Sequence, residues 1–315
     1  MKNLICLHQV VLKKKFNKYR LDKFLSIIFS EYSRNHFKKC ILENCVYVNN
    51  KIINSPDFKI MKGDFLYVKF FSKKINIFSP KKMFLDIVYE DKYLLIINKS
   101  SALVVHPGFG NYTGTLLNGL INKYPFIKKI PRAGIIHRLD KDTSGLIIVA
   151  KTFSAYFLLK KMMKKRKIIR EYQAIVLGKI KYGGLINAPI SRNIKKRTCM
   201  QVNSNGKQAI TYYSIKKIYK NYTLLKIRLK TGRTHQIRVH MLYIKHPIIG
   251  DQKYKCNYNL FQGLTESSEF NRIKSFPRQA LHAYKVIFIH PITKKKIFVK
   301  LNLPQDMLEF LSLKK

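Results

Sequence analysis

Apolar residues recur at helical spacing at Leu21, Phe24, Leu25 and Ile28, and again at Phe37, Cys40 and Ile41 after Ser33. The first set predicts a short amphipathic helix. The second predicts another with Ser33 as its N-cap, carrying Arg34, His36, Lys38 and Lys39 as well. The pattern then shortens to strand spacing. Cys45-Val46-Tyr47-Val48 and Lys51-Ile52-Ile53 predict strands joined at Asn49-Asn50, and Phe65-Leu66-Tyr67-Val68 adds another after the turn Lys62-Gly63-Asp64. Residues 20–70 therefore read as a small α+β unit.

Residues 71–82 are Lys-rich, contain Pro80 and lack periodicity, which predicts a linker. Beyond it, apolar runs predict strands at 87–89, 94–97, 146–150, 172–177, 209–219, 224–229, 280–289 and 297–301. Helical spacing predicts helices at 115–123, 154–165, 234–244 and 305–311. Strands dominate and seldom alternate with helices, so the fold class is α+β: a mixed, mostly antiparallel sheet with peripheral helices. The polar, aperiodic residues 257–274 predict a long loop.

One stretch within this pattern concentrates charge: Ile136-His137-Arg138-Leu139-Asp140-Lys141-Asp142-Thr143-Ser144-Gly145-Leu146. It sets Asp140 and Asp142 between cations, just ahead of the predicted buried strand 146–150. A buried strand holds such a tip still, which suits catalytic groups. A surface turn whose aspartates cap backbone donors would read the same way. Acid scarcity narrows the choice. The chain has 16 acidic residues in 315, and between Lys92 and Gly250 only Asp140, Asp142 and Glu171. An acid, base or carboxylate nucleophile in the middle of the chain must come from those three.

The formal charge of +46 does not suit a compact monomer with no anionic partner, because like charges repel; nucleic acid, an anionic membrane or an acidic protein would relieve it. Part of that charge follows from a composition rich in Lys, Asn, Ile, Tyr and Phe and devoid of Trp, which fits drift toward A/T-rich codons. The placement of Arg is therefore more informative than that of Lys. Arg233 and Arg238 lie in Thr231-Gly232-Arg233-Thr234-His235-Gln236-Ile237-Arg238-Val239-His240-Met241, which follows a predicted strand and opens a predicted helix with Thr234 as N-cap. An Arg there can pair a buried carboxylate or hold a phosphate, or simply belong to a basic surface helix. Tyr172 begins a strand, either as a core aromatic or as a group that stacks on a base or moves a proton.

Several chemistries are excluded. The five cysteines are scattered and form no C-x-x-C, which argues against zinc or a disulfide framework and fits a reducing cytoplasm. His235 and His240 lack the H-E-x-x-H pattern. Gly108-Phe109-Gly110-Asn111-Tyr112-Thr113-Gly114 departs from the dinucleotide spacing and reads as a tight turn near a cleft. No apolar run approaches the roughly 18 residues of a membrane span. Residues 1–12 read as mature protein, because His8 and Gln9 interrupt the apolar run and no small-residue cleavage site follows.

His137-Arg138-Leu139-Asp140-Lys141-Asp142-Thr143-Ser144-Gly145, Arg170-Glu171-Tyr172 and Gly232-Arg233-Thr234-His235-Gln236-Ile237-Arg238-Val239-His240, in that order, resemble the motifs of the RluA-type pseudouridine synthases. Ile97-Asn98-Lys99, Val104-Val105-His106-Pro107-Gly108, Pro131-Arg132-Ala133-Gly134-Ile135, Pro189-Ile190-Ser191-Arg192, Arg278-Gln279-Ala280-Leu281-His282-Ala283 and Leu303-Pro304-Gln305-Asp306-Met307 are similar to the subgroup acting on large-subunit ribosomal RNA. Residues 20–70 resemble that subgroup's N-terminal alpha-L-type RNA-binding module, while the region 257–275 matches poorly.

The resemblance implies domains at 18–72 (RNA binding), 73–83 (linker) and 84–315 (pseudouridine synthase fold with a central cleft). It implies Asp140 as catalytic carboxylate, Tyr172 packed on the target base and assisting proton removal at C5, and Arg233 paired with Asp140. Arg138 would displace the flipped uridine, with His137, His235 and Arg238 completing the substrate-binding set. Asp142 is expected to hold the turn through backbone hydrogen bonds. The implied protein is a cytoplasmic monomer without metal or cofactor, acting on ribosomal RNA or a pre-ribosomal large subunit, with the helix 69 stem-loop as target. Two alternatives stay open: a non-catalytic RNA-binding assembly factor, and the same chemistry on another rRNA site or on tRNA.

Overall fold

The computed structural model describes residues 3–12, 16–29, 32–72, 78–108, 110–255 and 268–312. They divide between two compact units, Met1–Asn76 and Ile77–Lys315. In the first, β1 (Asn3–Val10), β2 (Tyr19–Arg20), α1 (Leu21–Ile28), α2 (Arg34–Leu42), β3 (Val46–Val48), β4 (Lys51–Ile52), β5 (Lys59–Ile60) and β6 (Phe65–Ser72) follow in order. Ser33 caps α2 by accepting from the His36 N–H at 3.2 Å. Phe37, Cys40 and Ile41 face the core, as their spacing predicts. Asn49 and Asn50 take φ of 50° and 67°, the left-handed pair that a two-residue hairpin requires.

The unit also contains β1, which pairs antiparallel with the whole of β6 and which the sequence boundary at residue 18 leaves out. The linker is shorter than composition suggests. Phe71 and Ser72 complete β6. Residues 73–77 lie outside the described residues. Ser79 and Lys81 already belong to the second unit, accepting from and donating to Asn118 at 2.8 and 3.2 Å.

The second unit begins with β7 (Ile87–Glu90), β8 (Leu94–Lys99), α3 (Leu116–Lys123), β9 (Ser144–Ala150), α4 (Phe153–Lys164) and β10 (Ile169–Leu177). The short strands β11 (Gly184–Asn187), β12 (Ile190–Arg192) and β13 (Met200–Val202) precede β14 (Ile210–Ile218), β15 (Tyr222–Leu229) and α5 (Gln236–Tyr243). Then come α6 (Ser268–Ser275), β16 (Leu281–Ile289), β17 (Lys296–Lys300) and α7 (Gln305–Ser312). Helix α6 corrects the long loop expected over 257–274; its apolar positions Ile273 and Phe270 pack on the core, while 257–267 lie outside the described residues.

The sheet runs β11-β14-β15-β10-β16-β9-β8-β7, with β17 also on β16. Its pairs are antiparallel except for one short parallel contact, His282 with Ser144 and Ala283 with Gly145. The α+β, mostly antiparallel architecture is as the pattern predicts. Strand β16 forks: its first residues hold β9, its later ones pair with β17 from Lys285 onward. All seven residues of β9 are buried, so the segment 136–143 that feeds it hangs from a rigid root.

Candidate active site

The turn 140–143 closes on itself through the Thr143 N–H, which donates to the Asp140 carbonyl at 3.2 Å. Two buried cations grip the next two carbonyls. Lys99, at the end of β8 and fully buried, donates to Lys141 O at 2.8 Å and also to Ser100 O and Leu103 O at 2.6 and 3.0 Å. Arg278 donates to Asp142 O at 3.2 Å. Asp142 therefore contributes its backbone carbonyl to the turn, with Arg278 as its partner, whereas its carboxylate makes none of the backbone hydrogen bonds expected of it among the described residues.

Asp140 projects from this turn. Its Oδ2 accepts from Arg238 Nη1 at 2.8 Å. Its Oδ1 lies 3.8 Å from His235 Nε2, and its side chain keeps 19% exposure. Arg238 is shared: its Nε and Nη2 donate to Asp251 at 2.6 and 2.8 Å, a bidentate pair with both partners buried. Burial opposes the guanidinium charge, but Asp251 and Asp140 outweigh it and push its pKa up. Its plane sits 4.9 Å over the Tyr254 ring.

This corrects the expected partner of Asp140. Arg233 is exposed and its Nε donates to Gln208 O at 3.0 Å. The cause is the start of α5. His235, not Thr234, is its N-cap, in the left-handed conformation with φ 55°. The Gln236 side chain accepts from Arg233 N–H and Thr231 Oγ1 at 2.9 and 2.8 Å. Arg233 thus stays in the loop, while Arg238, one turn into the helix, points inward.

His235 is set by Tyr254. The phenol oxygen accepts from Met200 N–H at 2.8 Å and lies 2.6 Å from His235 Nδ1. With Met200 N–H donating to it, the phenol has its own proton to give to Nδ1, an arrangement that favours the tautomer with the imidazole proton on Nε2, facing Asp140. Burial lowers the His235 pKa; Asp140 opposes this, and Arg238 and Lys253 add to it. The neutral imidazole is therefore favoured near pH 7.

Tyr172 is buried on β10, where the β10–β16 register slips between Glu171 and Gln173. A bulge re-aims the side chain at its centre. Burial raises the Tyr172 pKa; Arg170 opposes and the Asp140 charge adds. Its neighbour Glu171 is consumed by the sheet, paired with Lys285 and accepting from Tyr284 Oη at 2.8 Å. Burial opposes its charge, yet those bonds hold its carboxyl below the usual range.

Arg138 is exposed beside Asp140. His137 takes a structural position: its Nε2 accepts from Ile148 N–H at 3.1 Å, and burial pushes its pKa down to about 3.

Asp251, Tyr254, Lys99 and Arg278 carry much of this geometry, yet sequence reasoning gave them no role. Asp251 lies one residue past the acid-poor stretch ending at Gly250. A count extended by one position would have found it. Among the described residues no cluster of His, Cys, Asp or Glu could hold a metal ion, and no helix is long and apolar enough to cross a membrane.

Comparison with known proteins fits this geometry. Residues 93–243 match the RNA pseudouridylate synthase family, and residues 20–66 match the S4 domain. The chain is 50% identical over 292 residues, 93% of each chain, to the ribosomal large subunit pseudouridine synthase D of Buchnera aphidicola subsp. Acyrthosiphon pisum (strain APS). It is 44% identical over 292 residues to the protein of the same name from Escherichia coli (strain K12), covering 93% of this chain and 89% of that one. Among solved structures, human RNA Pseudouridylate Synthase Domain Containing 1 superposes with a TM-score of 0.55 at 25% identity, over 70% of this chain and 83% of that one. The chain belongs to the RNA pseudouridylate synthase family and is an RNA pseudouridine synthase with an N-terminal S4 domain.

Proposed function

We propose that this enzyme isomerises uridines of large-subunit ribosomal RNA, in the helix 69 stem-loop, with Asp140 as the catalytic carboxylate. The RNA assignment is supported by the names of the relatives, ribosomal large subunit pseudouridine synthase D, and by the S4 domain. One observation carries the choice of Asp140. Of the three mid-chain acids, Glu171 is paired within the sheet, and Asp142 meets Arg278 through its backbone carbonyl alone, its carboxylate oriented by no arginine among the described residues. Asp140 is held by one oxygen only, and among the described residues its Oδ1 makes no hydrogen bond.

The reaction breaks the N1–C1′ bond, turns the base over and joins C5 to C1′. A proton leaves C5 and one is gained at N1, so the product is an isomer and neither oxidant nor water is consumed. The carboxylate attacks C1′ or removes the C2′ proton, and both routes need the oxygen that Arg238 leaves open. Tyr172, kept neutral by burial, packs on the base and takes the C5 proton only while passing on its own. Arg138 fills the space that the flipped uridine vacates. Unstacking costs a few kcal/mol, and phosphate contacts from the basic surface offset it.

Replacing Asp140 by Asn tests the reading. Asp140→Asn is expected to bind an rRNA fragment as the parent does and to form no pseudouridine. Conversion at the parent rate would exclude Asp140, and an equally dead, folded Asp142→Asn would move the role there. Mapping pseudouridine in cellular RNA with and without the protein tests the target. A site lost outside helix 69 would correct it, and no lost site would favour a binding factor.

A further inference from the structure

Two of the family-like stretches of the sequence carry no role in the proposed reaction: Arg278-Gln279-Ala280-Leu281-His282-Ala283 and Leu303-Pro304-Gln305-Asp306-Met307. The structure joins them. Arg278 is buried, and its Nε and Nη2 donate to Asp306, at the start of α7, at 2.6 and 2.9 Å. From that anchor, residues 278–283 meet the leg 142–145 of the catalytic turn almost residue by residue. Arg278 Nη1 takes the Asp142 carbonyl at 3.2 Å. Gln279 Nε2 donates to Thr143 Oγ1 at 3.1 Å. His282 Nδ1 and Ser144 Oγ are bonded at 2.9 Å. Ala283 pairs with Gly145, where φ is +109° and an added Cβ would lie 2.3 Å from the Ala283 carbonyl.

The same segment braces the other side of the site. A Cβ on Gly250, which has φ +74°, would lie 2.0 Å from the Arg278 carbonyl. Gly250 precedes Asp251, the residue that fixes Arg238 and through it the Asp140 side chain. The backbone beneath Asp140 and the arginine beside it are therefore both referenced to one short segment. That contact is polar at consecutive positions, so a slip of one residue would leave several buried donors and acceptors without partners.

We propose that residues 278–283, anchored to α7 by the Arg278–Asp306 pair, are the template that positions Asp140, and that Arg278 and Asp306 are positioning residues for the isomerisation. The proposal rests on Asp140 being the catalytic carboxylate. It makes α7 part of the active-site support, although α7 supplies no reacting atom.

The test uses the full chain, an rRNA fragment containing helix 69, and three measurements: single-turnover rate, RNA dissociation constant and thermal midpoint. Asp306→Asn keeps the size of the side chain and removes its charge; Asp306 is 35% exposed, so this variant keeps its fold even if Asp306→Ala does not. Asp306→Asn and Arg278→Lys are expected to lower the rate about tenfold to a hundredfold with RNA affinity unchanged, as for a reacting group displaced by about an ångström. Asp306→Glu, which keeps the charge, is expected to recover most of that loss. A parent rate in Asp306→Asn well below its melting temperature, whatever the midpoint, overturns the proposal. So does weakened RNA binding with the rate at saturation unchanged, which would make the pair an RNA contact. An inactive Asp140→Asn beside a fully active Asp306→Asn fails the template alone. An active Asp140→Asn fails both readings.

Discussion

Two arginine–carboxylate pairs flank the same turn and differ in what the spare guanidinium nitrogen reaches. Arg238 is fixed by Asp251 and spends its remaining Nη1 on the Asp140 side chain. Arg278 is fixed by Asp306 and spends its Nη1 on the backbone, at the Asp142, Gln279 and Leu281 carbonyls. The first pair is dry on both sides, with Asp251 at 1% side-chain exposure; the second has a carboxylate at 35%. A pair that touches the reacting group must keep both orientation and charge there. A pair that touches backbone needs only to hold position. The first should thus be costly to fold and intolerant of any change, and the second tolerant only of substitutions that keep its ion pair, as Asp306→Glu does.

The sharpest way to break that contrast is Arg238→Met. It strands Asp251 as a buried charge without its partner, which costs about 3–5 kcal/mol of stability. It also frees the Asp140 carboxylate to rotate, and the single-turnover rate is expected to fall at least about a hundredfold. The double variant Arg238→Met/Asp251→Leu separates the two effects. Replacing both partners by apolar groups removes the stranded charge, so denaturant unfolding should show most of the stability restored while the rate stays low. A double variant that recovered its rate with its stability would show that Arg238 serves the fold alone.

How far the sequence led depends on how local each feature is. The helices and strands that bury a face were legible, because periodicity of 3.6 or 2 is written in consecutive residues. Thus α3, predicted over 115–123, runs Leu116–Lys123, and β9 covers the predicted 146–150. The short strands β11 to β13 carry too few residues for any period to show. At the site, the motifs placed Asp140 and Tyr172 on the correct elements. They misassigned the arginine because Arg233 and Arg238 differ by five positions, and the choice hangs on a left-handed cap at His235. Asp251 and Arg278 were invisible as partners because each acts across 111 and 138 residues of chain from Asp140. No local pattern encodes such pairings.

Lys99 offers a second grip on the turn and a pH test of it. Its ammonium is buried against three carbonyls. Burial pushes its pKa down to about 7; Asp142 opposes, Arg278 adds and Asp140 opposes. The unfolded chain holds that proton up to about pH 10.4. Between those values the unfolded state binds more protons, so stability contributed by this site rises with pH from about 7 toward 10. The folded enzyme meanwhile loses one of the ammonium's three N–H donors, which together hold the Lys141 carbonyl of the turn to those of Ser100 and Leu103. Urea unfolding of the parent and of Lys99→Met is expected to give a stability difference that shifts in favour of the parent as pH rises through this window. The advantage of the parent in rate should shrink over the same range. A difference independent of pH would mean that Lys99 stays fully charged and acts as a fixed clamp, like Arg278.

The smallest effect belongs to Tyr254→Phe, and it tests how finely the first pair is tuned. The phenol oxygen links Met200 N–H to His235 Nδ1, and its ring supports Arg238. Phenylalanine keeps the ring and removes the link. One neutral hydrogen bond is worth about 1 kcal/mol, so the rate is expected to fall about fivefold. The change should be electronic in origin, because the freed imidazole can place its proton on Nδ1 and turn an acceptor toward Asp140. Nitrogen chemical shifts of His235 distinguish the tautomers directly. The parent should show its proton on Nε2 and Tyr254→Phe a mixture. If the mixture appears while the rate is unchanged, His235 holds no proton that Asp140 needs, and orientation of the carboxylate rests on Arg238 alone.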